Sequence, residues 1–169
     1  MLPTPSLVLL IGAAGSGKST FADRHFDAKV VLSSDRYRGF VAGDEGDQRA
    51  TRTAFALLHR EVERRLAAGA STVVDATNVT IFARRSLLRR SIRNGVPAVA
   101  LVFDLDPLLV QTRNATRVGR IVPRAAVEQQ LEDPARSLRG DLRAEGFALV
   151  RVFRRPADVD RVRLSFGLT

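Results

Sequence analysis

Apolar and polar positions fall into blocks along the chain. Leu7–Ile11 is a continuous apolar run, followed by a glycine-rich turn and a helical pattern over Lys18–Phe26. Short apolar runs return at Val30–Ser33, Thr72–Asp75, Ala98–Phe103 and Phe147–Phe153. Runs of this length, bounded by turn residues, read as strands buried on both faces. Between them apolar residues recur at helical spacing. Phe55, Leu58, Val62 and Leu66 define a helix from Gln48 to Ala68, ended by Gly69. Ile81, Leu88 and Ile92 define another over Thr80–Asn94, with Gly95 as its stop. Shorter helical patterns cover Leu108–Thr116 and Ala135–Glu145, and Pro123 suits the first turn of a helix. Residues 36–47, punctuated by Gly39, Gly43 and Gly46, read as a loop. Helices separating buried strands predict an α/β fold, a parallel sheet flanked by helices with right-handed crossovers. In such a sheet ligands collect at the C-terminal ends of the strands.

The turn after the first strand sharpens this picture. Gly12-Ala13-Ala14-Gly15-Ser16-Gly17-Lys18-Ser19, continuing into Thr20, satisfies the phosphate-loop pattern G-x-x-x-x-G-K-[ST]. Its glycines let backbone N–H groups turn inward around a phosphate, and the following helix adds its positive N-terminal end. Lys18 is placed to reach the β- and γ-phosphates, and Ser19 to ligate Mg²⁺. The motif implies ATP or another NTP with magnesium. It is silent on what happens to the phosphate.

Three further groups bear on that question. The second strand ends in Ser33-Ser34-Asp35, with Arg38 three residues on. Asp35 there is either the base for an attacking hydroxyl or the N-cap of a short helix. If the turn is helical, Arg38 faces the same way and can fork onto an acceptor phosphate. The third strand ends in Asp75, either a partner of the Mg²⁺ or a polar strand end, with Asn78 and Thr80 as candidate caps. Arg113, Arg117 and Arg120 sit at i, i+4 and i+7. On one face of a helix or helical hinge they would repel each other without an anion among them, which suits a helical lid over a triphosphate. The alternative is a solvated face, and that is the reading for Arg84, Arg85, Arg89, Arg90 and Arg93. Asp44, Glu45 and Asp47 form an acidic loop, in which Asp47 suits a helix cap better than a metal ligand.

Composition narrows the class. The 169 residues suit one domain spanning 1–169. Cysteine is absent, which excludes disulfides and thiolate zinc sites and fits a reducing compartment. His25 and His59 are the only histidines, too few for a histidine-built metal site. No run approaches the roughly 20 apolar residues that span a bilayer. The opening SLVLLIGAAG lacks a basic leader, so a cytoplasmic protein is expected. A net charge of +9 from 27 basic and 18 acidic residues suits a polyanionic partner such as nucleic acid. A preference for arginine codons would give the same count, since Lys18 and Lys29 are the only lysines.

Taken together, GAAGSGKSTFA, SSDRYRGFV, DEGDQ, VDATNV and RNATRVGRIV resemble the kinase domain of bacterial polynucleotide kinase-phosphatase. That family heals RNA ends in repair, and phage polynucleotide kinases are similar but less close. The likeness runs from the first strand to the segment near Gly146. It implies a P-loop kinase-like parallel sheet with a helical lid, and transfer of an NTP γ-phosphate to the 5′-OH of RNA or DNA. By motif position it implies Asp35 as general base and Arg38 as contact to the acceptor's phosphate. It makes Lys18 and Arg113 stabilisers of the transferring group, with Arg117 and Arg120 in the lid. Tyr37 is then either a stacking platform for a base or a ring packed on the sheet end. The family's phosphatase and ligase modules do not fit in this length, so a stand-alone kinase or one module beside such partners is expected. A small-molecule kinase and an ATP-gated nucleic-acid-binding module are the competing readings.

Overall fold

The computed structural model describes residues 1–43, 51–117, 121–139, 142–164 and 166. In chain order the elements are β1 (Leu7–Ile11), α1 (Lys18–His25), β2 (Val31–Ser33), α2 (Ser34–Ala42), α3 (Thr51–Ala67) and β3 (Thr72–Asp75). They continue with α4 (Ile81–Arg93), β4 (Ala98–Phe103), α5 (Pro107–Ala115), α6 (Arg124–Arg139), β5 (Leu149–Phe153) and α7 (Pro156–Arg161). The five strands form one parallel sheet in the order β2-β3-β1-β4-β5. The central β1 is buried throughout, which is why its sequence is unbroken Leu, Val and Ile rather than alternating.

Side chains leave the sheet alternately to its two faces. Leu7, Leu9 and Ile11 pack with Leu58, Val62 and Leu66 of α3 and Leu87 and Leu88 of α4. Val8 and Leu10 pack on the other face with Phe21, Ala22 and Phe26 of the α1 segment and with Phe153. A third, smaller cluster joins Ala13, Leu105, Val110, Val122 and Val127. It presses α5 and α6 against the turn that follows β1. Among the described residues no helix is long and apolar enough to cross a membrane.

Several boundaries differ from the sequence reading. The loop expected over 36–47 is helical as far as Ala42, because Ser33 caps α2 by accepting from Arg36 N at 3.5 Å. Gly39 is tolerated inside the helix, and Gly43 ends it with φ 73°. The rest of that segment, with Asp44, Glu45, Gly46 and Asp47, lies outside the described residues, as do Gln48 to Ala50. The helix expected over Ala135–Glu145 begins instead at Arg124, directly after Pro123, and reaches Arg139. The segment expected as a strand from Phe147 joins the sheet only at Leu149, and the short α7 carried no apolar period to announce it.

The largest departure is in α4. Its buried stripe is Arg84, Leu87, Leu88 and Ser91, at i, i+3, i+4 and i+7, while Ile92 is 70% exposed. Arg84 is not on a solvated face: it is 0% exposed. Its guanidinium donates to both carboxylate oxygens of Glu145, at 2.8 and 2.6 Å, and to the carbonyls of Asn78 and Val79, at 3.0 and 2.6 Å. A buried cation is tolerable only when paired and bonded in this way.

Candidate active site

A cavity of about 550 Å³ opens at the C-terminal ends of the strands. On its floor is the turn between β1 and α1. Gly17 is the N-cap of α1 with φ 89°, and Gly15 has φ 85°, both left-handed. A Cβ on Gly15 would lie 2.5 Å from the carbonyl oxygen of Val110, so α5 packs directly on the glycine backbone. Gly12 N donates to Thr77 O at 2.9 Å, which ties the turn to the end of β3. The first amides of α1, at Lys18, Ser19 and Thr20, have no partner within the helix and point to the cavity end.

Lys18 is 7% exposed, and its Nζ donates to Ala13 O at 2.8 Å and to Ser16 Oγ at 3.3 Å. Burial lowers its pKa from 10.5 to about 8; the Asp75 carboxylate opposes that fall and Arg117 adds to it. Asp75 is buried and in register with Leu10 of β1 and Ser33 of β2. Thr80 caps α4 by accepting from Ala83 N, so capping does not explain Asp75. Asn78, expected as a cap, does something else. It adopts φ 50° and its Nδ2 donates to Leu10 O at 2.8 Å, fastening the β3 loop to β1.

Asp35 stands in the first turn of α2, and since Ser33 is the cap, capping does not account for Asp35 either. Its Oδ1 is ion-paired with the Nη2 of Arg38, at i+3 on the same face. Arg38 is 4% exposed, a guanidinium buried beside Asp35 at the cavity. Both residues line the cavity together with Ser19, Asp75, Arg113 and Arg117. Tyr37 is turned the other way, half-buried against the core on the sheet face, where burial and the charge of Glu61 raise its pKa.

Arg113 lies near the cradle: a Cβ on Gly17 would sit 4.0 Å from its Nη1. Of the expected helix or helical hinge, the structure shows Arg113 in α5 and Arg117 just past the end of the helix at Ala115, so these two do not share one continuous helix. Arg120 lies outside the described residues. Two residues that the sequence did not single out shape this region. Buried Asn114 donates to Val122 O at 2.8 Å and accepts from Val122 N at 3.2 Å, closing the segment that carries Arg117. Gln130 of α6 accepts from Ala14 N at 2.9 Å, so this helix touches the phosphate turn itself. A polar residue at an otherwise apolar helix position is the only signal the sequence carried for either.

A glycine cradle at a helix N-terminus, below a β2-β3-β1-β4-β5 parallel sheet and beside arginines on a capping segment, defines a P-loop kinase fold with a nucleotide-binding loop. The chain belongs to the AAA domain family, whose match covers residues 7–137. None of the curated proteins matches the sequence. Among solved structures, the chain is similar to one in the Pnkp1/Rnl/Hen1 RNA repair complex, with 22% identity and a TM-score of 0.71. That alignment covers 83% of this chain and 47% of the other, so the chain spans about half the length of that relative. A second structure of the Pnkp1/Rnl/Hen1 complex gives 25% identity and a TM-score of 0.57, covering 72% of this chain and 42% of that one. A gluconokinase from Sinorhizobium meliloti 1021 gives 20% identity and a TM-score of 0.58, covering 95% and 90%.

Proposed function

We propose that the chain is a polynucleotide 5′-hydroxyl kinase, transferring the γ-phosphate of ATP or another NTP to the 5′-OH of RNA or DNA. The observation that carries this reading is the Asp35–Arg38 pair, which shares one cavity with Lys18, Arg113 and Arg117. A small neutral acceptor has no use for a buried guanidinium. An acceptor that brings its own phosphate does.

The cavity suits a magnesium nucleotide. The cradle is closed to any side chain at Gly15, and the buried Asp75 carboxylate lies close enough to Lys18 to oppose the burial-driven fall of its pKa. Ser19 and Asp75 are the side chains that would hold Mg²⁺, which when bound neutralises phosphate charge. The first amides of α1 and Lys18 bind the phosphate oxygens. Asp35 takes the proton of the attacking 5′-OH as its oxygen bonds to the γ-phosphorus and the nucleoside diphosphate leaves. Arg38 holds the acceptor's phosphate and fixes the hydroxyl in line. Arg113 stabilises the charge on the transferring group, with Arg117 and Arg120 contributed by the segment after α5. Phosphatase and ligase modules, if they act with this kinase, belong to other parts of a longer protein or to another chain.

A second reading is a small-molecule kinase, favoured by the gluconokinase likeness over 90% of that chain. Variants at Asp35 and Arg38 separate the two. With an oligonucleotide acceptor, Asp35→Ala lowers kcat by about 10²- to 10⁴-fold. Arg38→Ala raises the acceptor KM, and NTP binding persists in both. Wild-type rates for Asp35→Ala would remove the base assignment. Turnover of sugar acids but not oligonucleotides would favour the second reading.

A further inference from the structure

We propose that the exposed face of α4 is an outer stretch of the acceptor site, a track for single-stranded RNA or DNA beyond the 5′ end. The inference rests on the polynucleotide reading above and extends it. Both α3 and α4 follow the same sheet face, and their register is set by contacts along their length. His59 Nδ1 lies 3.4 Å from Ser86 Oγ, and one turn later Glu63 meets Arg90 at 3.7 Å and Arg93 at 3.5 Å. Phe55, one turn before His59, lines the cavity with Asp35 and Arg38. Phe82, one turn before Ser86, is therefore level with the cavity mouth, and it is 77% exposed. The loop that leads into α4 supplies Ala76 and Thr77 to the same cavity.

From Phe82 the exposed face runs on through Arg85 and Arg89, at i+3 and i+7, about 10 Å along the helix. The other arginines of α4 have acids: Arg84 has Glu145, and Arg90 and Arg93 have Glu63. Arg85 and Arg89 have no ion-pair partner among the described residues. They stand one turn apart, where like charges repel, and α4 contains no Asp or Glu to relieve them. A bare aromatic ring beside two unmatched guanidiniums is half of a complementary surface. Phosphates would match the arginines and an unstacked base would cover the ring. A single strand offers both. A duplex keeps its bases stacked inside, and an apolar protein surface would leave the guanidiniums unmatched.

The test uses 5′-OH oligonucleotides, a dinucleotide and a strand of about 12 nucleotides, with binding read by fluorescence anisotropy across a salt series. The longer strand should bind at least about tenfold tighter than the dinucleotide. Arg85→Ala with Arg89→Ala should remove most of that gain and flatten the log–log salt slope by about 1.4, two phosphates' worth for a single strand. Phe82→Ala should weaken the longer strand by about fivefold or more with the slope unchanged. Wild-type binding and slope in the arginine variants would overturn the track and leave a solvated face. Equal competition by a duplex would overturn its single-strand character. Phosphate transfer to the dinucleotide is followed separately. Strand binding that depends on Arg85 and Arg89 without any transfer would uphold the track and sink the kinase reading.

Discussion

Replacing Lys18 by methionine should stabilise the empty protein while abolishing its chemistry. The lysine's pKa is 10.5 when solvated and about 8 in the fold, and burial is the largest cause. Below pH 8 it is charged in both states, so the whole desolvation cost is present at neutral pH. That gap corresponds to about 3 kcal/mol. Methionine removes the cost but loses the bonds to Ala13 O and Ser16 Oγ, worth about 1 kcal/mol each. The net gain is about 1 kcal/mol at pH 7, or about 2–4 °C in Tm for a chain of this size. The sign with pH follows. Between about 8 and 10.5 the unfolded chain holds the proton that the folded one has released, so wild-type stability rises with pH through that window. The advantage of Lys18→Met should therefore shrink from pH 8 upward, reverse at about pH 9, and become a deficit of about 2 kcal/mol by 10.5, where only the lost bonds remain. Thermal unfolding of both proteins at a series of pH values measures this. A variant less stable than wild type at pH 7, or an advantage independent of pH, would refute the argument.

The same lysine sets the pH dependence of nucleotide use. With its pKa near 8 in the free protein, kcat/KM for NTP should fall as pH rises through 8, and a profile flat to pH 9.5 would contradict this. Gly15→Ala places a Cβ 2.5 Å from Val110 O on a left-handed residue. It should raise the nucleotide Kd by about tenfold or more, the cost of shifting α5 and straining φ, as read by nucleotide titration. Glu145→Gln leaves the buried Arg84 without its carboxylate. It should cost about 3 kcal/mol, lowering Tm by about 6–12 °C, whereas a change under about 2 °C would mean the pair is not structurally required.

Much of the sheet could be read from the chain because each central strand is buried on both faces. Leu7–Ile11, Thr72–Asp75 and Ala98–Phe103 stand in the structure with the boundaries their apolar runs define. Helices were harder where burial and periodicity disagree. In α4 the apolar period points to a face rotated from the buried one, because Arg84 occupies a core position, and no local rule anticipates a guanidinium held by Glu145, 61 residues away. In α2 the glycines looked like loop punctuation, yet Ser33 and the buried Arg38 hold a helix around Gly39. The phosphate turn was legible because its chemistry is local in sequence. Asp35 and Arg38 were legible as a pair because their spacing of three matches one helical turn. Gln130 and Asn114 were not, because each acts on backbone atoms that only the folded chain brings near.

The most direct test of the account is transfer from γ-labelled ATP with Mg²⁺ to three acceptors: an oligonucleotide with a 5′-OH, the same strand with a 5′-phosphate, and gluconate. Label on the 5′-OH strand alone, lost in Asp35→Ala, is the result this account predicts. Label on gluconate with neither strand modified would contradict it and identify the buried Arg38 as a clamp for a small anionic acceptor.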